Sequence, residues 1–327
     1  MDVSSAVAAV PFHHEYPFDP SYGLGERELL RVEPPEPPRD FAAFWKERFE
    51  NVSGRPTDVK LTLCGHQAHG EWLISELRYR STDDFLIRGW ALVPKEGEVR
   101  RGFVCLHGYG GISGPSFDLP LRDAVLFFPC LRGISASRHP KISEDPRWHV
   151  LHDIDQRERY IHGGCVEDTW LGVTALLEQF PQVEGRVGLL GISFGGGIGM
   201  LAMPWDERIC RAHVEVPSFG HQALRLTLPT VGSGAAVIDF ERKHGGVLDT
   251  LLYYDAAHAA RFTEQPVHVA AALFDPMVAP PGQFAIYRAL AGPRELYVLE
   301  AGHYEYPNQA KQRKELLHRI ERHFEPI

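Results

Sequence analysis

Hydrophobic positions along this chain fall into two textures. Between residues 59 and 94, three runs mix apolar with polar positions and are separated by turn residues: VKLTLC (59–64), EWLISELRYR (71–80) and FLIRGWALVP (85–94). They predict the antiparallel start of a mixed sheet. From residue 101 the runs are shorter and almost wholly apolar: GFVCL (102–106), AVLFF (124–128), RVGLL (186–190), AHVEV (212–216), PVHVAAALF (266–274) and ELYVL (295–299). Such strands are those of a sheet covered on both faces. Helical spacing intervenes in VEDTWLGVTALLEQF, through Trp170, Val173, Leu177 and Phe180, and the amphipathic KQRKELLHRIERHF follows the last strand. The pattern predicts an α/β fold with a mostly parallel central sheet and helices on both faces.

The same reading divides the chain. Residues 1–58 read as an N-terminal arm and helix. The arm is proline-rich as far as EPPEPPRD, and the helix FAAFWKERFE places Phe41, Phe44, Trp45 and Phe49 on one face with Asp40 set to cap it. Residues 59–327 read as one α/β domain. Its alternation of strand and helix breaks at about 217–263, which predicts a small cap insertion.

Composition removes several function classes. A net charge of −9 without a basic cluster argues against a nucleic-acid partner. The apolar patch Ala6–Val10 is too short for a signal-peptide core, and no run approaches the roughly 18 apolar residues of a membrane span. Cys64, Cys105, Cys130, Cys165 and Cys210 are odd in number, widely spread and without zinc spacing. They read as unpaired thiols, so the expected compartment is cytoplasmic and no metal or cofactor is called for. His13-His14 lacks the further ligands of a metal site.

Chemistry enters with Gly191-Ile192-Ser193-Phe194-Gly195, directly after RVGLL. A serine at a tight strand-to-helix turn needs small flanking residues, and the turn leaves its hydroxyl exposed. The motif alone arises by chance in roughly one chain of this length in nine, so its strand–turn–helix context carries the assignment of Ser193 as nucleophile. A phosphate loop is excluded because the lysine of that motif is missing. His107-Gly108-Tyr109-Gly110-Gly111 follows GFVCL, where acyl transfer needs a backbone N–H for the developing oxyanion; Tyr109 and Phe194 are the natural pair of donors. The alternative for this loop is a plain glycine turn. Among 17 histidines, chain order selects His303, after the last strand, as general base. Asp275, ending PVHVAAALF, is placed to orient it, with Glu215 and Glu305 as rivals. The order Ser193, Asp275, His303 is that of the α/β-hydrolase fold.

With these residues placed, the chain resembles the acetyl xylan esterase and cephalosporin C deacetylase family, carbohydrate esterase family seven. The likeness runs through DFAAFWKERFE, RGWALVPK, HGYGG, PCLRG, VEDTWLGVTALLEQFPQVEGRVGLLGISFGGG, LLYYDAAHAARF and ALFDPMVAPPGQFAIYRAL to the histidine loop. The resemblance implies deacetylation of small acetylated molecules and a homo-oligomer, a hexamer built from dimers. It also implies the same roles for Ser193, Asp275, His303, Tyr109 and Phe194. Three positions depart from the family. Ile134 stands where Arg-Gly-Gln has its glutamine, Phe194 replaces the glutamine after the nucleophile, and Tyr304 separates His303 from Glu305.

The expected function is therefore a serine carboxylic-ester hydrolase working on a small-molecule ester through an acyl-enzyme. The alternatives are a peptidase, amidase or dienelactone-hydrolase-like enzyme of the same fold, or an inactive scaffold used for binding. A Phe194 ring beside the nucleophile is expected either to narrow the acyl pocket or to make the alcohol side more apolar.

Overall fold

The computed structural model describes residues 12–327; the first eleven residues of the arm, with the Ala6–Val10 patch, lie outside the described residues. Nine strands form one sheet: β1 (Lys60–His69), β2 (Trp72–Arg80), β3 (Leu86–Pro94), β4 (Arg101–Leu106), β5 (Ala124–Cys130), β6 (Val187–Ile192), β7 (Ile209–Glu215), β8 (Val267–Ala272) and β9 (Arg294–Leu299). Their order across the sheet is β1-β2-β3-β5-β4-β6-β7-β8-β9. The first three strands pair antiparallel, as does β3 with β5, and every pairing from β5 through to β9 is parallel. The chain is therefore a mostly parallel α/β sheet with an antiparallel extension.

The α-helices are α1 (Glu26–Leu29), α2 (Phe41–Ser53), α3 (Pro146–His149), α4 (Ile161–Gln179), α5 (Phe194–Ala202), α6 (Gln222–Arg225), α7 (Ser233–His244), α8 (Val247–Leu251), α9 (Ala256–Ala260), α10 (Pro280–Ala289) and α11 (Gln309–Phe324). Side chains on alternate positions of the sheet serve two cores. One unites the sheet with α2, α4, α5, α9 and α10 through residues such as Trp45, Trp170, Ile198 and Phe284. The other is capped by α11 through Leu316, Ile320 and Phe324, and by Leu119 and Leu121 from the helix-free stretch 107–123 between β4 and β5. Among the described residues no helix is long and apolar enough to cross a membrane.

Strand order reverses at β4, which lies between β5 and β6. The loops leaving β4 and β6 therefore part to opposite faces of the sheet and open a crevice above the carboxyl ends of these strands, where open α/β sheets bind ligands. The motifs HGYGG and GISFG leave from just these two strands.

Two local expectations meet the structure differently. Asp40 stands at the N-cap of α2 but makes no side-chain cap. Its carboxylate accepts from the Tyr253 hydroxyl at 2.5 Å instead, a longer-range tie that competes with the local one. The 217–263 stretch folds as α6, α7, α8, a 3₁₀ turn (Leu252–Tyr254) and α9. All five residues of α9 are buried, Asp255 caps it by accepting from Ala257 N–H, and its alanines sit in the larger core.

The described part of the arm is tied down near residues 29–35. Arg261 donates to the Pro34 and Pro35 carbonyls, Arg288 to that of Leu30, and Leu29 is fully buried. A buried ion cluster joins the segment after β5 to α4. The Arg132 guanidinium donates to both oxygens of Asp168, at 2.7–3.1 Å, and to the Ser81 and Thr82 hydroxyls, while Asp168 also accepts from the Arg132 backbone N–H. Removing one partner of a buried pair leaves an uncompensated charge, which costs far more than the pair contributes. Asp168→Ala is expected to lower unfolding free energy by about 3–5 kcal/mol in urea titrations, whereas the exposed pair Arg242–Asp239 can be broken at a cost of about 1 kcal/mol or less.

Candidate active site

The turn after β6 holds Ser193 at φ 53°, ψ −113°, a conformation that side chains other than glycine's rarely adopt. It is held there from several sides. Ser193 N–H donates to the Glu215 carbonyl at 2.8 Å, and its own carbonyl accepts from Gly197 and Ser218. The flanking glycines are required by contact. A Cβ on Gly191 would lie 2.5 Å from the Gly195 carbonyl oxygen, and one on Gly195 would lie 2.6 Å from the Leu106 backbone at the end of β4. The elbow thus packs backbone to backbone against the strand that launches the HGYGG loop.

His303 follows β9, at φ 48°, and its Nε2 lies 2.9 Å from Ser193 Oγ. Its Nδ1 lies 2.8 Å from Asp275 Oδ2. Asp275 is fully buried and its carboxylate is saturated. Oδ1 accepts from the Met277 and Val278 backbone N–H groups at 2.9 Å, and Oδ2 accepts from Gln283 Nε2 at 3.1 Å as well as from the histidine. The structure thus joins Ser193, His303 and Asp275 in one hydrogen-bonded file. Neither rival acid occupies that place: Glu305 is exposed, and the Glu215 carboxylate pairs with Arg313 at 3.2 Å.

Burial alone would depress the pKa of His303, but the charge of Asp275, the hydrogen bond to it and the charge of Glu215 outweigh burial and raise it above the usual imidazole value. Glu215 is itself shifted upward by burial, against the pull of Arg313.

The oxyanion candidates lie on the other side of the serine. Gly108 approaches so closely that a Cβ there would be 3.7 Å from Ser193 Cβ. Among the described residues, no acceptor pairs with the backbone N–H of Tyr109 or of Phe194, which opens α5. Their rings stack on each other, centroids 4.1 Å apart and 20° between planes. Phe194 is fully buried, so its ring braces Tyr109 from behind and lines neither an acyl pocket nor an alcohol pocket, contrary to the expectation from sequence. The Tyr109 hydroxyl is fixed by His162 Nε2 at 2.8 Å and His149 Nδ1 at 3.3 Å. Burial lowers the pKa of both imidazoles, that of His149 to about 4, so both are neutral near pH 7. His107 ties this loop to the neighbouring one: Nδ1 donates to the Gly108 carbonyl at 2.7 Å and Nε2 accepts from Leu131 N–H at 3.0 Å.

Gln283, His149 and His162 lie outside the sequence reading, which names Glu215 only as a rival acid. Of these, Gln283 carried a usable signal, a polar residue on the helix just after the acid; the others depend on distant packing. Tyr304, one of the departures, donates its hydroxyl to the His13 carbonyl at 2.6 Å and packs with Phe12 and Phe274, tying the arm to the histidine loop. Ile134 is buried behind Gly111.

An arrangement of this kind can do one thing well. A neutral histidine in such a file can accept the serine proton as Oγ attacks a carbonyl carbon, and the N–H groups of Phe194 and Tyr109 are the candidates to receive the oxygen that gains charge.

Comparison with known proteins agrees. An acetyl xylan esterase from Paenibacillus sp. R4 superposes with a TM-score of 0.80 over 92% of this chain and all of its own, at 20% identity. Acetyl xylan esterase 1 from Thermoanaerobacterium sp. JW/SL YS485 gives 0.75 over 93% of this chain and 99% of its own, at 19% identity. A puromycin-hydrolyzing peptidase of Mycobacterium tuberculosis gives 0.62 over 80% of this chain but only 40% of its own, at 16% identity. At such identities these likenesses establish the α/β-hydrolase fold. No curated protein sequence matches the chain. The family model for acetyl xylan esterase matches residues 27–321, nearly the whole length, and the chain therefore belongs to the acetyl xylan esterase family.

Proposed function

We propose that this chain is a serine carboxylic-ester hydrolase that removes short acyl groups, acetyl foremost, from small molecules or oligosaccharides. The observation that carries the reading is the file Asp275–His303–Ser193, with both ring nitrogens of the histidine engaged at 2.8 and 2.9 Å. Asp275 holds Nδ1 as the donor, which leaves Nε2 the acceptor. Ser193 Oγ attacks the ester carbon, its proton passes to Nε2, and the carbonyl oxygen takes up charge against the Phe194 and Tyr109 N–H groups. Collapse breaks the bond to the leaving oxygen, which takes the proton from His303. Water then repeats the sequence on the acyl-enzyme and releases the acid.

Ser193→Ala is expected to lower kcat on 4-nitrophenyl acetate by on the order of 10⁶-fold, and a fluorophosphonate probe should label the wild type but not the variant. Near-wild-type turnover with an unchanged circular dichroism spectrum would overturn the assignment. Asp275→Asn is expected to cost on the order of 10⁴-fold by favouring the wrong tautomer; greater damage from Glu305→Gln would transfer the role.

The pH profile gives a separate check. Because the pKa of His303 is raised above the usual imidazole value, kcat/KM should fall on the acid side through one ionisation lying above about 6.5. Glu215→Gln removes one of the charges that raise this pKa, so the acid limb should move to lower pH. A limb that does not move would show that the Glu215 charge does not reach the base.

Acyl length tests the remaining part. Family membership and the modest size of α6–α8 both favour small acyl groups. Acetate and propionate esters should give the highest kcat/KM in a series from two to ten carbons, and a maximum at six or beyond would refute the short-acyl reading.

A further inference from the structure

Strand β6 is buried along its length except at its last residue, Ile192, which is 41% exposed and immediately precedes the nucleophile. An exposed isoleucine at this point borders two hollows. One, of about 1090 Å³, contains His303, Tyr304 and Tyr306. The other, of about 310 Å³, lies over the α11 face of the sheet and is walled by Leu106, Ile112, Leu119, Phe128 and Leu190. Both are lined by Ile192, Glu215 and Arg313, so they meet along one shared wall. The smaller hollow has a structural origin. The 107–123 connection forms no helix, so among the described residues this face is roofed chiefly by a loop and α11.

We propose that the smaller hollow is the subsite for an apolar, uncharged ring carried by the leaving alcohol. This rests on the esterase reading and extends it to a class of substrate. The leaving oxygen takes its proton from His303 Nε2, and His303 lines the larger hollow, while the carbonyl oxygen turns to the N–H groups of Tyr109 and Phe194. An alcohol leaving on that side meets the exposed Ile192 and the apolar walls beyond it. A volume of about 310 Å³ stands at the lower end of the roughly 300–1,000 Å³ of small-molecule sites. A ring fills such a space with fewer rotors to freeze than a chain of the same size. The rim sets the charge. Arg313 is held by Asp118 at 2.8 Å and by Glu215 at 3.2 Å, two carboxylates against one guanidinium, so an anionic alcohol finds no free cation there and is repelled.

The test compares 2-naphthyl acetate with ethyl acetate in the wild type and in Ile112→Trp, whose added ring occupies the hollow from the loop side. The ratio of kcat/KM values, naphthyl over ethyl, is expected to fall by about tenfold or more in the variant; an unchanged ratio overturns the proposal. Calorimetric titration of 2-naphthol and of 6-hydroxy-2-naphthoate into the wild type stands independently of how the variant folds. The neutral alcohol should bind about tenfold or more tightly than the carboxylate, and equal affinities, or no binding of 2-naphthol, overturn the subsite. If neither ester is hydrolysed and the fluorophosphonate fails to label Ser193, the esterase reading itself falls. Intact hydrolysis with a failed titration overturns the subsite alone.

Discussion

The backbone contact between Gly195 and the end of β4 is the constraint from which the site follows. With a hydrogen in place of a side chain, the first turn of α5 lies directly on Leu106 and His107. That closeness forces the chain to turn at Ser193 with a positive φ, and it sets the Phe194 N–H beside the loop that carries Tyr109. A methyl group at position 195 would push the helix from the strand and separate the nucleophile from one side of its candidate oxyanion pocket. The strain is shared. Val216, at the end of β7, has φ 40°, unusual for a β-branched residue, and His303 has φ 48°. Three strained residues just beyond the carboxyl ends of β6, β7 and β9 mark the place where packing is strong enough to overrule local preference.

Charge is arranged around this scaffold with equal economy. Asp275 is fully buried, and four hydrogen bonds meet its carboxylate, so no acceptor site is left without a partner. Glu215 reaches His303 through its field alone, because its carboxylate is committed to Arg313. The base thus feels two negative charges and touches only one. On the opposite side, His107, His149 and His162 are neutral and serve as fixed hydrogen-bond partners. The same side-chain type is pushed in opposite directions according to whether a carboxylate or an apolar core surrounds it.

Much of this was legible beforehand because the signals are local. Strand runs, the elbow and the order of serine, aspartate and histidine each occupy a few consecutive residues, and all nine predicted strands lie within or across those observed. What the sequence hid depends on partners far along the chain. Asp40 satisfies a local capping rule yet turns to Tyr253, more than two hundred residues away. Asp168 sits inside a run that reads only as a helix, and nothing nearby reveals that Arg132 anchors on it. Phe194 was misjudged for a related reason. Position beside the nucleophile says where its N–H is, but its ring direction is set by Tyr109 and Phe219, which no local pattern identifies.

The three departures from the family acquire a common sense in the fold. Ile134 packs behind Gly111, Phe194 stacks behind Tyr109, and Tyr304 clamps the arm over the histidine loop. Each lies behind or beside a loop that carries chemistry, and none interrupts the file from Asp275 to Ser193. Replacing a buried polar side chain by an apolar one is tolerated when every former partner is satisfied elsewhere. Polar groups around these positions are satisfied: the Tyr109 hydroxyl meets two imidazoles, and the Ile112 N–H bonds to the Ser135 hydroxyl. Aromatic stacking and van der Waals contact hold these positions without directional demands. Such packing leaves the reacting groups alone. Ile134 and Phe194 are buried and act on the structure that supports the nucleophile, whereas Tyr304 borders the larger hollow, where relatives sharing one reaction can come to differ in what they hydrolyse.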